Sequence, residues 1–218
     1  ISYLFGGMSL DFDQEEPDQT TDYEVGVVIS KANRPAAGSD DERKLVEGLC
    51  KNQYPKFKKA ETSMKSVERL LQSRGIMDTI GGTSTLLDKY DMKEPFTVVF
   101  PEDPTLKRVA LQMAGSDIKS IDLLTDFRKV SKSEVALSCK WWNLHGHYKD
   151  KDNKKCSFGR DMNWSYLHFK NHVDDVLYND TDKSFHDDYH KQERGGPLFF
   201  KLLIDSVLTS NENSLSAL

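Results

Sequence analysis

The sequence predicts a mainly α-helical fold, in which short amphipathic helices form an incomplete helical bundle with at most one or two short strands. Apolar residues recur at steps of four and three along residues 162–176, which is typical of an amphipathic helix. Residues 198–204 are apolar on nearly every side, as in a helix at the centre of a bundle. Strand-like segments are few, at 24–29 and 96–100.

Residues 1–38 form an acidic head that we expect to be mostly disordered. Residues 1–40 contain 2 basic against 8 acidic residues. The stretch at 11–24 has few large apolar side chains, so burial cannot offset the entropy that ordering would cost. The β-branched run at 24–29 predicts one short strand at the end of this head.

Residues 39–115 form a variable region that is predicted to be mainly helical. Ser39 and Glu42 have the spacing of a capping box, so a helix should begin there. A second amphipathic helix is predicted over 60–71 and should end at Gly75.

The later part of this region contains more chain breakers. Glycines at 81 and 82 and a proline at 95 predict a loop over 76–95 with one helical turn around residues 86–87. Residues 96–100 predict a strand that prolines terminate. Thr105 should cap a short helix that ends at Gly115.

Residues 116–218 are predicted to be helical. An apolar residue recurs over 118–127, and Ser131 with Glu134 forms another capping box, before a helix that buries Val135, Cys139 and Trp142 on one stripe. The stripe of the next helix needs an apolar partner, and the segment after Gly195-Gly196 supplies it. The apolar stripe that needs this partner belongs to the helix predicted over 162–176 and consists of Met162, Tyr166, Phe169, Val173 and Val176.

The two ends of the sequence suggest a fragment of a longer protein. The chain begins at Ile1, and Thr209 with Glu212 has the spacing of a capping box for a new helix. That helix would be cut off at Leu218, in its second turn.

Composition excludes several classes of protein. The net charge of -5 is not that of a uniformly basic nucleic-acid binder. No stretch reaches the roughly 18 consecutive apolar residues of a membrane span, so no membrane partner is expected. Three widely spaced cysteines resemble no disulfide framework and favour a reducing compartment. We therefore expect an intracellular, cytoplasmic protein, with a nuclear location left open.

The charge is segregated along the chain, and this confines any contact with RNA to two regions. Residues 41–75 contain 9 basic against 5 acidic residues, and residues 111–160 contain 10 against 6. In the first region lysines interleave with Tyr54 and Phe57, which suits phosphate contacts and base stacking, although a solvated helix face explains the same lysines. In the second, residues 149–155 alternate in sign, so their charges should largely cancel in an exposed loop. The candidate nucleic-acid contacts are Lys51, Lys56, Lys58, Lys59 and Lys65.

Two groups of side chains offer an alternative function as a zinc-binding module or metal-dependent enzyme. His186 and His190 have the i, i+4 spacing of a zinc hydrolase, but Asp187 replaces the glutamate base. Zinc also accepts mixed sulfur and nitrogen ligands, although the spacing of the second group matches no established zinc motif. That group is Cys139, His145, His147 and Cys156.

Evidence for chemistry is otherwise lacking in the sequence. Neither a phosphate-binding glycine loop nor a nucleophile elbow occurs, so no catalytic residue and no cofactor is predicted. His168 and His172 share the i, i+4 spacing but lie beside the apolar stripe, where partly exposed surface histidines are expected.

The C-terminal stretch ERGGPLFFKLLID, residues 193–205, resembles a recurring segment in Gag-like proteins of copia-type LTR retrotransposons. In that family an aromatic helix similar to residues 162–178 precedes the segment, so the likeness covers about residues 161–218. The resemblance implies a capsid-like helical domain, self-association and packaging of element RNA, without enzymatic activity. The knuckle of cysteines and histidine found in complete Gag proteins is missing here. A plainer alternative is an intracellular helical adaptor. The residues that would form the assembly and core helices are Met162, Trp164, Tyr166, Phe169, Val173, Val176, Pro197, Phe199, Phe200 and Leu203.

Overall fold

The computed structural model describes residues 27–51, 80–100, 120–173 and 175–215, with side chains described as far as residue 206 except at positions 50 and 51. Several predictions fall outside these ranges. They are the disorder of residues 1–26, the helix at 60–71 and the helix that begins at Thr105.

Helices dominate the described residues, which confirms the predicted fold class. The α-helices are α1 (Asp40–Lys51), α2 (80–89), α3 (Leu123–Asp126), α4 (Lys132–His145), α5 (Gly159–His172), α6 (Asp175–Asp187) and α7 (Gly196–Leu215). Short 3-10 helices occur at Glu94–Phe96, Phe127–Lys129 and Lys191–Glu193. The strands are β1 (Val27–Ser30), β2 (Thr97–Val99), β3 (Ser120–Asp122), β4 (Gly146–Lys149) and β5 (Lys155–Ser157).

The strands form two small sheets. In the larger sheet the order is β1-β4-β5, with β1 parallel to β4 and β4 antiparallel to β5. The smaller sheet pairs β2 with β3 in antiparallel fashion. The predicted strands at 24–29 and 96–100 correspond to β1 and β2, whereas β3, β4 and β5 were not expected. Because β1 pairs with β4, the end of the acidic head joins the C-terminal helical region.

The predicted helix starts are confirmed at two of the three capping boxes, those at Ser39 and Ser131. At α4, Ser131 and Glu134 each accept a hydrogen bond from the other's backbone amide. At α1, the Ser39 hydroxyl accepts from the amide of Glu42 at 3.2 Å. These bonds satisfy amide groups that have no partner inside the helix, which is why the two starts could be located from sequence.

The pairing of α5 with α7 is also confirmed. The Phe169 ring lies 6.1 Å from the Phe199 ring and 5.9 Å from the Phe200 ring, centroid to centroid. Tyr166 is only partly buried and meets the Phe199 ring edge-on at 5.3 Å. The other predicted core residues that are buried are Met162, Trp164, Val173, Pro197 and Leu203.

Some local predictions are wrong because tertiary packing overrides the local signal. The predicted loop at 76–95 contains the helix α2 despite its two glycines, since Leu86 and Leu87 are buried in the core. The described part of the apolar repeat predicted at 118–127, from residue 120 onward, is not one helix but β3, α3 and the start of a 3-10 helix. The expected new helix at Thr209 is absent, because α7 continues without a break to Leu215.

Three side chains on α5 and α6 also differ from expectation. Val176 belongs to α6, beyond the end of α5, and is 62% exposed instead of extending the buried stripe. His168 and His172 are buried, where partly exposed histidines were expected. Their rings lie 4.2 Å apart because helical i, i+4 spacing brings them together against α1.

A buried network of charges joins distant parts of the chain. Arg34 donates to the Asp161 carboxylate at 2.5 Å, and neither side chain is exposed to solvent. Lys31 lies 3.6 Å from the other Asp161 oxygen and 2.7 Å from Glu94. Lys31 and Arg34 also donate to the backbone carbonyl of Asp91. Burial alone would lower the pKa of Arg34, but Asp161, Tyr148 and Asp91 together outweigh it and the pKa is raised.

Replacing Asp161 tests how far the fold depends on this network. Asp161→Asn leaves the buried Arg34 charge without its carboxylate, so we expect a loss of about 3–5 kcal/mol in urea unfolding. The exposed control Asp41→Asn should cost less than about 0.5 kcal/mol. If Asp161→Asn does not fold, the double variant Arg34→Met with Asp161→Leu should, because it removes both charges. Equal stabilities of Asp161→Asn and Asp41→Asn would contradict the assignment.

The two glycines before Pro197 allow α7 to approach α5 closely. A Cβ atom at Gly196 would overlap the side chain of Ser165, and one at Gly195 would overlap that of Met162. Both glycines are buried, so the backbones of the two helices meet here without intervening side chains.

Gly196→Ala should therefore destabilise the protein by about 1–3 kcal/mol, since α5 and α7 must separate to admit the methyl group. The matched control is Gly81→Ala in α2, where a Cβ atom meets nothing within 4 Å. That change should raise stability by up to about 1 kcal/mol, because alanine favours the helix. Thermal unfolding of both variants measures the contrast, and a neutral Gly196→Ala would disprove the close approach.

The buried side chain of His168 makes stability depend on pH. The His168 Nδ1 atom lies 3.3 Å from the Leu49 carbonyl of α1. Burial, together with the neighbouring His172, lowers the pKa of His168 to about 4. An unfolded histidine has a pKa near 6.5, so between these values only the unfolded chain takes up the proton. Protonation therefore favours unfolding as the pH falls from about 6.5 to about 4.

We expect this one group to remove roughly 3 kcal/mol of stability across that pH range. His168→Asn keeps a donor for the Leu49 carbonyl but cannot titrate, so its free energy of unfolding should vary less with pH than that of the wild type. His186→Asn is the control, because His186 is exposed. The measurement is urea unfolding over a pH series, and parallel curves for wild type and His168→Asn would contradict the prediction.

Candidate nucleic-acid interface

The outer face of the three-stranded sheet gathers basic and polar side chains. Side chains alternate between the two faces of a strand, and the register places Val28 beside His147 and Ser30 beside Lys149. On the other side, Lys149 pairs with Lys155. The inner face carries Tyr148 and Cys156, both buried. We call the outer face the lysine face, and it consists of Val28, Ser30, His147, Lys149, Lys155 and Ser157.

Lys149 and Lys155 stand directly opposite each other on adjacent strands, and both are exposed. Like charges at directly opposed positions destabilise a sheet by a few tenths of a kcal/mol to about 1 kcal/mol. Within the described residues neither lysine forms an ion pair that would offset this cost. An anionic ligand bridging the two ammonium groups would relieve the repulsion.

The loop between β4 and β5 is built around Asp150. This carboxylate is buried and accepts hydrogen bonds from the backbone amides of Ala37, Asp152 and Lys154 at 2.9–3.1 Å. Burial acts to raise the pKa of Asp150, but these amides outweigh it and the pKa is lowered. Asn153 completes the turn at a φ of 62°, a left-handed conformation that asparagine tolerates.

The burial of Asp150 corrects the expectation that charges at 149–155 cancel in an exposed loop. The Asp150 carboxylate accepts hydrogen bonds from backbone amides and is buried. The exposed charged side chains of the hairpin are those of Lys149, Lys151, Lys154 and Lys155 and the single carboxylate of Asp152. Lys151 is 4.0 Å from Asp41, at the outer limit of an ion pair. The hairpin therefore presents an excess of positive charge to solvent.

His147 adds a neutral polar group to the lysine face. Burial and the adjacent Lys155 charge lower the pKa of His147 from its ordinary value. The Nδ1 atom of this neutral ring is buried, so at most its Nε2 atom can reach a ligand. Such a group suits a base edge or a ribose hydroxyl better than it suits a phosphate.

The inner side of the same sheet rests on the buried charge network. The Lys31 Nζ atom lies 5.4 Å from the centre of the Tyr148 ring and 5.0 Å from that of Phe158. The Arg34 guanidinium lies 5.2 Å from the Tyr148 ring. These contacts hold the inner face of the sheet, and the lysines extend from the outer face of the same strands.

A second candidate site is an acidic cleft of about 280 Å³. Its carboxylates already have structural partners: Glu94 binds Lys31, Asp88 lies 3.4 Å from Lys93, and Asp122 caps α3. These pairings explain the charges without a ligand. The cleft is lined by Leu87, Asp88, Asp91, Lys93, Glu94, Thr97 and Asp122.

The structure does not bring together the predicted zinc ligands. His147 lies on the outer face of the sheet, Cys156 lies on the inner face, and Cys139 is buried in α4. Burial raises the pKa of the Cys139 thiol to about 12, which disfavours the thiolate that a metal needs. Across residues 27–51, 80–100, 120–173 and 175–215, no group of three or more His, Cys, Asp or Glu side chains is placed to hold a metal ion.

The other predicted histidine pair is also separated. His186 is in the last turn of α6 and contacts the backbone carbonyl of Asp182 through Nδ1. His190 lies beyond the end of α6 and precedes the 3-10 helix Lys191–Glu193. The two therefore do not share a helical face, which the i, i+4 spacing had indicated.

The predicted nucleic-acid contacts lie outside what the structure describes. Lys56, Lys58, Lys59 and Lys65 fall within residues 52–79, and only the backbone of Lys51 is described. Sequence reasoning named residues 111–160 as a second basic region but did not select Lys149 and Lys155. The available signal was the alternation at 146–149 and 155–157, which is too short to indicate strands or their register.

No protein-family model matches this chain, and no match was found among curated proteins or solved structures. In the described part of the chain, no helix is both long enough and apolar enough to cross a bilayer.

Proposed function

We propose that this chain is a non-enzymatic, Gag-like polypeptide that binds RNA through the lysine face and self-associates. The observation that carries the proposal is the pair of directly opposed lysines at positions 149 and 155, which form no ion pair with any described residue. A bound phosphate would offset the repulsion between the two ammonium groups, and release of counterions from RNA drives such binding. The face lies in the basic region 111–160, one of the two regions to which the charge distribution confines RNA contacts.

The character of the face favours single-stranded or irregular RNA as the ligand. Two lysines contact the backbone, while the exposed hydroxyl of Ser30 and at most one nitrogen of His147 offer hydrogen bonds to sugars or base edges. Val28 is 47% exposed and provides an apolar surface beside them. A face of this size covers only a few nucleotides, so single contacts are weak and assembly of many copies supplies avidity.

Self-association must use a surface other than the aromatic stripe. Phe169, Phe199 and Phe200 are buried within the chain itself, so they are not available to a second copy. Among residues with described side chains, the exposed large apolar ones are Val28, Leu144 and Val176. Leu144 and Val176 are therefore the first positions to test for contacts between copies.

The RNA-binding proposal predicts the effect of removing two charges. In Lys149→Gln with Lys155→Gln, we expect about tenfold weaker binding of a mixed-sequence single-stranded RNA at low salt. The slope of log K against log salt should become shallower by up to about 1.4, as expected for two lost phosphate contacts. Fluorescence anisotropy over a salt series provides both values.

The control is Lys132→Gln with Lys170→Gln, which removes the same charge from exposed positions on α4 and α5. It should change the affinity far less than the lysine-face variant does. Equal losses in the two double variants would contradict a specific face. A wild-type chain that binds no RNA and stays monomeric in light scattering would favour the helical adaptor.

A further inference from the structure

No described element of the chain pairs across the lysine face, whose lysines are exposed, and the same chain carries a segment of opposite charge. Residues 11–24 contain seven acidic residues and no basic residue. The exposed side chains of Lys149, Lys151, Lys154 and Lys155 lie on one hairpin. These two parts are complementary in charge.

The path of the chain brings the acidic segment to this sheet. Its last residue, Glu24, is three positions before Val27, the first residue of β1, and β1 lies at one edge of the β1-β4-β5 order. From Val27 to Lys155 the distance is roughly 14 Å, estimated from about 3.3 Å per residue along a strand and 4.8 Å between strands. Four or five extended residues cover it. Residues 11–24 are thus long enough to fold back over the whole face.

The segment also carries Phe12 and Tyr23, which can cover the exposed side chain of Val28. The acidic segment therefore complements the lysine face both in charge and in apolar side chains. Because the linkage is intramolecular, the effective concentration of the segment at the face is on the order of millimolar. Even a weak interaction would then be occupied much of the time.

We propose that residues 11–24 dock on the lysine face of their own chain and compete there with RNA. The competition rests on the proposed RNA-binding function, whereas the docking does not require it. Seven carboxylates mimic the spaced negative charges of a nucleic-acid backbone, so the segment acts as an internal competitor. RNA must displace it before binding, which favours long RNA over short fragments because multiple contacts are needed.

The docking is tested first without RNA, in the full chain. One variant replaces every Asp and Glu of residues 11–24 by Asn and Gln. An amine-acetylating reagent and mass spectrometry then give the reaction rate of each lysine. We expect Lys149 and Lys155 to react several-fold more slowly in the wild type than in the amide variant, and the difference to vanish at high salt. Lys132 and Lys170 should react equally in both proteins.

The competition is tested by RNA binding of the same proteins. The amide variant should bind single-stranded RNA about tenfold more tightly at low salt, given millimolar effective concentration and a weak contact. In the background of Lys149→Gln with Lys155→Gln, the amide changes should give little gain. A gain that persists there would arise from net charge alone and would overturn the competition.

The outcomes separate the two proposals. Equal acetylation rates of Lys149 and Lys155 in wild type and amide variant would overturn the docking, whatever the RNA result. Slower acetylation in the wild type with no RNA binding by any variant would support the docking and overturn the RNA-binding function. Slower acetylation together with tighter RNA binding by the amide variant supports both.

Discussion

The buried ion pair between Arg34 and Asp161 is the constraint on which the rest of the structure depends. Arg34 follows β1 and Asp161 lies in the first turn of α5, so the pair joins residues that are 127 positions apart. Lys31 extends the network to Glu94 and to the Asp91 carbonyl, near the end of α2. Two buried cations need these partners, since an unpaired buried charge costs several kcal/mol. The network therefore determines where β1 lies relative to α5.

The position of β1 in turn determines the lysine face. Once β1 is held next to β4, the side chains of β4 alternate between the two faces of the sheet. Tyr148 points inward over the Lys31 and Arg34 cations, and Lys149 points outward. A shift of the sheet register by one residue along β4 and β5 would turn each of their side chains to the opposite face and bury Lys149 and Lys155. The buried tyrosine and the paired cations thus exclude that register. The outward position of the lysines on the lysine face is therefore a consequence of the buried charge network.

The sequence predicts features that depend on neighbours along the chain and fails where distant contacts decide. The capping box at Ser131 and the stripe of α5 rest on local bonds and local periodicity, and both could be predicted. The capping-box spacing at Thr209 was equally clear, but α7 runs through it because a helix interior satisfies the same amides. Only tertiary structure decides between a cap and a continuing helix at such a position.

The site was harder to predict than the fold for the same reason. The pairing of β1 with β4 spans more than a hundred residues, as between Val27 and Gly146, and strands of three or four residues leave almost no periodicity to detect. Asp150 looked like one member of an alternating run, and only the amides of Ala37 and Lys154 show that its charge is turned inward. Charge counts located the region but could not separate structural from exposed charges.

The net charge of -5 therefore describes neither the acidic segment at 11–24 nor the lysine face. An acidic segment and a basic face in one chain are both screened by salt, with a Debye length of about 8 Å at physiological ionic strength. In the proposed competition, salt weakens the binding of RNA and also the docking of its internal competitor, so the two effects partly cancel in the apparent affinity. On this proposal, the salt dependence of RNA binding by the wild-type chain would understate the number of phosphate contacts. A chain whose acidic segment has been neutralised has no such compensation, and its steeper dependence reports those contacts directly.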